Sequence, residues 1–87
     1  MSDGSLLTFP CELPVKVLGR NAEAFRNAAG EIVRAHYDNL EQGQVAEQFS
    51  SNGSFLSLTF TVRVESRDQV DALYRDLTAS ADVLMVL

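Results

Sequence analysis

The chain has 87 residues, with seven Lys and Arg against twelve Asp and Glu and a net charge of -5. That length holds one domain, no apolar run reaches the roughly 18–20 residues of a membrane helix, and a single cysteine excludes an internal disulfide framework or a multi-cysteine zinc site. With 46% hydrophobic residues and an opening, Met1-Ser2-Asp3-Gly4-Ser5, that lacks the basic start of a secretory signal, the expectation is a small soluble cytoplasmic domain.

Residues 1–8 read as a flexible arm, with Leu6, Leu7 and Phe9 as apolar anchors, and residues 9–87 as the domain. Pro10 and Pro14 exclude a helix at the start of that domain. From Leu13 the chain alternates, Leu13, Val15 and Val17 on one face and Pro14 and Lys16 on the other, which predicts a half-buried strand ending at Gly19. Asn21 is placed to cap a helix, with Glu23 in its first turn where the dipole favours an acid. Ala22, Phe25, Ala28, Ala29, Ile32, Val33 and His36 recur at three- and four-residue spacing and form one stripe. The helix ends near Tyr37, and Gly30 falls on its outer flank.

Residues 38–43 read as a loop. A weak strand follows over 44–50, with Val45, Glu47 and Phe49 on one side, which suits a sheet edge. Asn52-Gly53 is the turn signal of a type I′ hairpin, supplying two positive φ angles. From Phe55 to Glu65 the alternation is strict. Leu56, Leu58, Phe60, Val62 and Val64 share one face; Phe55, Ser57, Thr59, Thr61, Arg63 and Glu65 share the other. Ser66 and Gln69 form a capping box for a second helix with Val70, Leu73, Tyr74 and Leu77 inward and Arg67–Asp71 and Asp71–Arg75 as outer charge pairs. A linker, 79–82, leads to a last strand, Val83 to Leu87, that is apolar on both faces.

The order β-α-β-β-α-β predicts an α+β, ferredoxin-like sandwich: a four-stranded antiparallel sheet of order 4-1-3-2 with two helices on one face. The other sheet face is left open. It is expected to carry Lys16, Phe55, Ser57, Thr59, Thr61 and Arg63, joined by either Leu84 and Val86 or Val83, Met85 and Leu87 from the last strand. Apolar residues on that face call for cover by the N-terminal arm or by a second subunit. RNA-binding domains of this topology need stacking aromatics and a basic surface. Here Phe55 is the lone aromatic at the exposed positions of the third strand and the net charge is negative, so no nucleic-acid partner is expected.

Five segments together resemble the YbeD-like family of small bacterial proteins of unknown function. They are Leu6-Leu7-Thr8-Phe9-Pro10, Val15-Lys16-Val17-Leu18-Gly19, the stretch from Ser50 to Ser57, Gln69-Val70-Asp71-Ala72-Leu73-Tyr74, and the terminal Met85-Val86-Leu87. Where that family often carries Lys before the turn glycine, this chain has Asn52. The resemblance implies a fold similar to the ACT-type regulatory domains, and with it ligand sensing or regulation through association.

Three places can carry chemistry. Lys16 and Arg63, expected as neighbours among Ser57, Thr59 and Thr61, can hold an acidic ligand or a partner's carboxylate. Gly19, Arg20 and Asn21 open the first helix, where backbone N–H groups attract an anion; in the plainer reading Gly19 only permits a tight turn. Cys11 and His36 fall at the same end of the molecule and together would make an activated thiol. The plainer reading makes Cys11 a small apolar residue and His36 a helix-end residue, and it is preferred. The leading expectation is a non-enzymatic regulatory or adaptor domain. It acts on a protein partner or a second copy of itself through the open face or an edge strand. A metabolite- or anion-sensing domain is the alternative, and a thiol enzyme using Cys11 comes last. No cofactor, metal site or membrane contact is expected.

Overall fold

The computed structural model describes residues 10–37 and 45–87. The N-terminal arm, its anchors Leu6, Leu7 and Phe9, and the 38–43 loop lie outside the described residues. The elements are β1 (Cys11–Arg20), α1 (Glu23–His36), β2 (Val45–Phe49), β3 (Phe55–Val64), α2 (Arg67–Ala79) and β4 (Val83–Val86). The strands form one antiparallel sheet of order β2-β3-β1-β4. This is the expected α+β topology, with β1 and β3 central and β2 and β4 at the edges.

The alternation in β3 translates directly into sidedness. Leu56, Leu58, Phe60, Val62 and Val64 are buried, and the odd-numbered residues between them are not. They join Val15 and Val17 of β1, Phe25, Ala29 and Val33 of α1, and Leu73 and Leu77 of α2 in one core. Both helices therefore pack on the same sheet face. Each fully buried Leu, Val or Phe contributes roughly 1.5–3 kcal/mol, set against the entropy of ordering the chain.

The helix ends differ in construction. At α2 the Gln69 N–H donates to Ser66 Oγ (3.3 Å), while Gln69 Oε1 accepts from the Glu65 N–H (2.7 Å). The box is thus closed one residue earlier than the sequence pattern implies. At α1 the cap is Ala22, which makes no side-chain cap bond. Asn21 is drawn away: its N–H donates to the Ser54 carbonyl (3.0 Å) and its Nδ2 to the Gly53 carbonyl (2.9 Å). A residue expected to cap a helix instead staples the β1–α1 junction to the β2–β3 hairpin.

That hairpin is not type I′. Gly53, at φ +76°, is the one residue with positive φ among those described, and Asn52 is not left-handed. The Gly53 N–H donates to the Ser50 carbonyl (2.9 Å), and the Asn52 carboxamide oxygen accepts from the Ser54 N–H (3.1 Å) and Ser50 Oγ–H (2.9 Å). Ser50 Oγ accepts the Phe55 N–H (3.1 Å) in place of its occupied carbonyl. Side-chain bonds thus hold a longer loop that only Gly53 must enter left-handed.

Two further expectations are corrected. Gly30 is buried rather than on an outer flank, because α1 turns that side toward β2. Gly19 does not end β1 and does not relax a turn. It lies within the strand and is buried. A Cβ placed on it would stand 2.3 Å from Phe25 Cδ1, so it is the platform for the Phe25 ring.

Tyr37, 6% exposed, closes the far end of α1, and its hydroxyl has no hydrogen-bond partner among the described residues. Burial raises its pKa above the ordinary 10.0. Tyr37→Phe is expected to leave stability unchanged at neutral pH or raise it by up to about 1 kcal/mol, because the ring stays and an unpaired buried group goes. The unfolded phenol ionises first as pH rises, so the native chain loses stability from about pH 10 upward. The variant's urea midpoint is expected to lack that component of the alkaline decline.

Candidate functional site

The open face is set by the β1–β3 register, which pairs Arg20 with Phe55, Leu18 with Ser57, Lys16 with Thr59, Pro14 with Thr61 and Glu12 with Arg63. These are the outward members of both strands, because their neighbours fill the core. Lys16 and Arg63 are exposed, while Phe55, Ser57, Thr59 and Thr61 are half-buried between adjacent strands.

The six expected residues do not form one cluster. Lys16, Phe55 and Ser57 come together with Leu18, Gln48, Phe49 and Ser50 around a shallow depression of about 180 Å³. Arg63 lies four residues along β3 from the partner of Lys16, about 13 Å away. Its Nε is 3.4 Å from Glu65 Oε2, and Glu12 stands across from it. Lys16 and Arg63 are therefore not neighbours. Arg63 has its own carboxylates, whereas Lys16 has no ion pair among the described residues. Thr59 and Thr61 lie between them as uncharged surface.

The apolar part of the face comes from β4. Val17 pairs with Val86 and Leu18 with Met85, but Gly19 pairs with Val83. Leu84 is the extra residue of a bulge. Neither of the two expected alternations holds: Val83 and Val86 both pack on the core, while consecutive Leu84 and Met85 are 49% and 51% exposed. Leu87 is 57% exposed beyond them, its N–H donating to the Lys16 carbonyl (2.8 Å). Leu18 was legible as an open-face residue by continuing the β1 alternation past Val17. No signal in the five apolar residues 83–87 announces the bulge.

At the β1–α1 turn, the Asn21 N–H and carboxamide are both occupied by the hairpin, as described above, and the Ala22 N–H donates to the Arg20 carbonyl (2.8 Å). The Arg20 guanidinium carbon lies 5.9 Å from the centre of the Phe55 ring. Gly19, Arg20 and Asn21 thus each have a structural task.

Cys11 begins β1 opposite Val64 and is half-buried. His36 Nε2 makes a 2.7 Å hydrogen bond with Asp76 Oδ2, tying the end of α1 to α2. Among the described residues no group of His, Cys, Asp and Glu has the arrangement of a metal site, and no helix is long and apolar enough to cross a membrane.

A second concavity was not anticipated. Between α1 and β2 runs a groove of about 390 Å³, lined by Arg26, Asn27, Gly30, Arg34, Val45, Glu47, Leu58 and Phe60. Arg26 Nε is 3.2 Å from Glu47 Oε2, and its guanidinium carbon is 5.7 Å from the Phe49 ring centre.

Comparison with known proteins bears on the whole chain. A family model described as "Protein of unknown function (DUF493)" matches residues 4–87. The UPF0250 protein NE1487 of Nitrosomonas europaea is 33% identical over 87 residues, covering 100% of both chains. A UPF0250 protein of Chromobacterium violaceum is 40% identical over 82 residues, covering 94% of this chain and 92% of its own. Among solved structures, protein HP0495 of H. pylori superposes with a TM-score of 0.76 at 13% identity, over 93% of this chain and 85% of that one. The ACT domain from the GTP pyrophosphokinase of Chlorobium tepidum superposes with a TM-score of 0.67, also at 13% identity, over 87% of this chain and 94% of that one. At that identity the two structures speak to the fold, and the second bears out the expected likeness of fold to ACT-type domains.

Proposed function

We propose, from the premise that this chain belongs to the DUF493 family of proteins of unknown function, the family to which the YbeD-like resemblance pointed, that it is a non-catalytic association domain. It binds a protein partner through the β1–β4 corner of its open sheet face. The observation that carries this reading is the β4 bulge, which leaves Leu84 and Met85 about half exposed side by side, with Leu87 beyond them. Large apolar side chains grouped at a sheet edge are a contact surface rather than scattered surface noise. Lys16, without an ion pair among the described residues, offers an acidic partner side chain a charge-assisted bond beside them.

The reading asks no chemistry of Cys11 or His36. On this face a sensing role is supported by the Lys16–Phe55–Ser57 depression, which a small anion can enter.

The test is affinity capture from the native cell with the wild-type chain and with a Leu84→Lys/Met85→Lys double variant. Both residues are already exposed, so the variant is expected to melt within about 1 kcal/mol of wild type. A partner, or a second copy of the chain, should be retained by wild type and reduced at least about tenfold by the variant. Equal retention by both rejects the corner as the contact. Stabilisation by a metabolite, with no protein retained, favours sensing instead.

A further inference from the structure

We propose that the groove between α1 and β2 is a binding site for a small organic monocarboxylate with an apolar body. This goes beyond the association reading and uses a different surface. Along its β2 side, α1 presents Arg26, Gly30 and Arg34, each four residues from the next and therefore in one row. Beneath them lie Leu58 and Phe60, with Val45 beside them. The groove, about 390 Å³, falls within the size range of small-ligand sites; its walls are mainly polar, and Val45, Leu58 and Phe60 give it a small apolar base.

The charges distinguish the two ends of the row. Arg26 is matched by Glu47 at 3.2 Å. Arg34 has no carboxylate partner among the described residues. Its guanidinium lies over Gly30, where a Cβ would stand only 2.7 Å from its Nη1. The missing side chain at 30 is what makes room for the guanidinium. A planar guanidinium is a fork for a carboxylate, and the Asn27 amide adds a donor at the rim. Among the described residues, Arg26 and Arg34 against Glu47 give the lining one net positive charge. A single negative charge is therefore matched, while the Glu47 carboxylate repels a second one. That balance favours a monocarboxylate over a phosphate dianion, and Val45, Leu58 and Phe60 offer its apolar remainder a small contact at the base.

The test is an amide ¹H–¹⁵N titration of the full chain with three probes: 4-methylpentanoate, its neutral amide, and inorganic phosphate. Saturable shifts at residues 26–34 and 45–47 are expected with 4-methylpentanoate in the millimolar range, the strength of one charge-assisted fork plus a small apolar contact. The neutral amide and phosphate are expected to leave those residues unmoved. Arg34→Gln, an exposed position whose unchanged remaining spectrum will verify folding, should weaken 4-methylpentanoate at least about tenfold. Arg34→Lys should restore part of the binding, and Lys16→Gln on the other face should change nothing. Several results overturn the proposal: no saturable shift, equal response to the neutral amide, stronger response to phosphate, or undiminished binding by Arg34→Gln. The association reading stands or falls separately, on Leu84 and Met85.

Discussion

Gly19→Ala is expected to destabilise the fold by at least about 1–3 kcal/mol, the usual range for forcing extra volume into a packed core. Three Phe25 ring atoms lie within 2.6 Å of the position its Cβ would take, far inside van der Waals contact. Phe25 is 1% exposed and is enclosed by the core, so its ring has no free direction in which to retreat. A domain of this size holds on the order of 5–10 kcal/mol in total, so the loss will be plain in a urea melt. A double-mutant cycle identifies the cause. Phe25→Leu alone removes ring volume and destabilises. In the Gly19→Ala background the same change should be much less harmful, giving a coupling of about 1–2 kcal/mol. Additive effects would mean that the glycine acts through the backbone instead.

The second large effect separates adjacent residues of β3. Val62→Lys is expected to unfold the chain at 25 °C or to destabilise it by more than about 4 kcal/mol. It removes a fully buried side chain and brings an unpaired ammonium into the core. Thr61→Lys, one residue away and across from Pro14, should cost less than about 1 kcal/mol, because its side chain leaves the opposite face of the pleat. Denaturation midpoints of the two variants decide the matter. If Thr61→Lys proves as damaging as Val62→Lys, the outward side of β3 is covered in solution rather than open.

Much of the open face was readable residue by residue. Strict period-two alternation from Phe55 to Val64 has one packing solution, since a slip of one residue would turn five large apolar side chains outward. The i, i+4 spacing of Phe25, Ala29 and Val33 likewise fixes the inner side of α1, and Ser66 caps α2 because its signal is local. Candidate site residues fared according to the range of the interaction that places them. Lys16, Phe55 and Ser57 meet because neighbouring positions on paired strands always do. Lys16 and Arg63 do not meet, because the offset between β1 and β3 is set by how the two core faces interlock, which neither residue reports.

Four features depended on distant parts of the chain. Asn21 gives up helix capping for carbonyls more than thirty residues away at Gly53 and Ser54. Gly19 is required by a ring on the following helix. Arg34 and Gly30 line a groove because β2 sits at the sheet edge, beyond the packed centre of the helix layer. The β4 bulge arises where an all-apolar strand meets Leu18 and Gly19.

The amino-acid sequence by itself therefore determined the element order, the sheet topology, and which side of each patterned element faces the core, because hydrophobic periodicity acts over a few residues and has few alternatives. Tertiary structure alone decided which open-face side chains meet, where β4 turns apolar residues outward, and that a groove lies beside α1. Those outcomes follow from register and layer packing between residues far apart in the chain, where many local patterns are equally compatible and only the assembled core selects one.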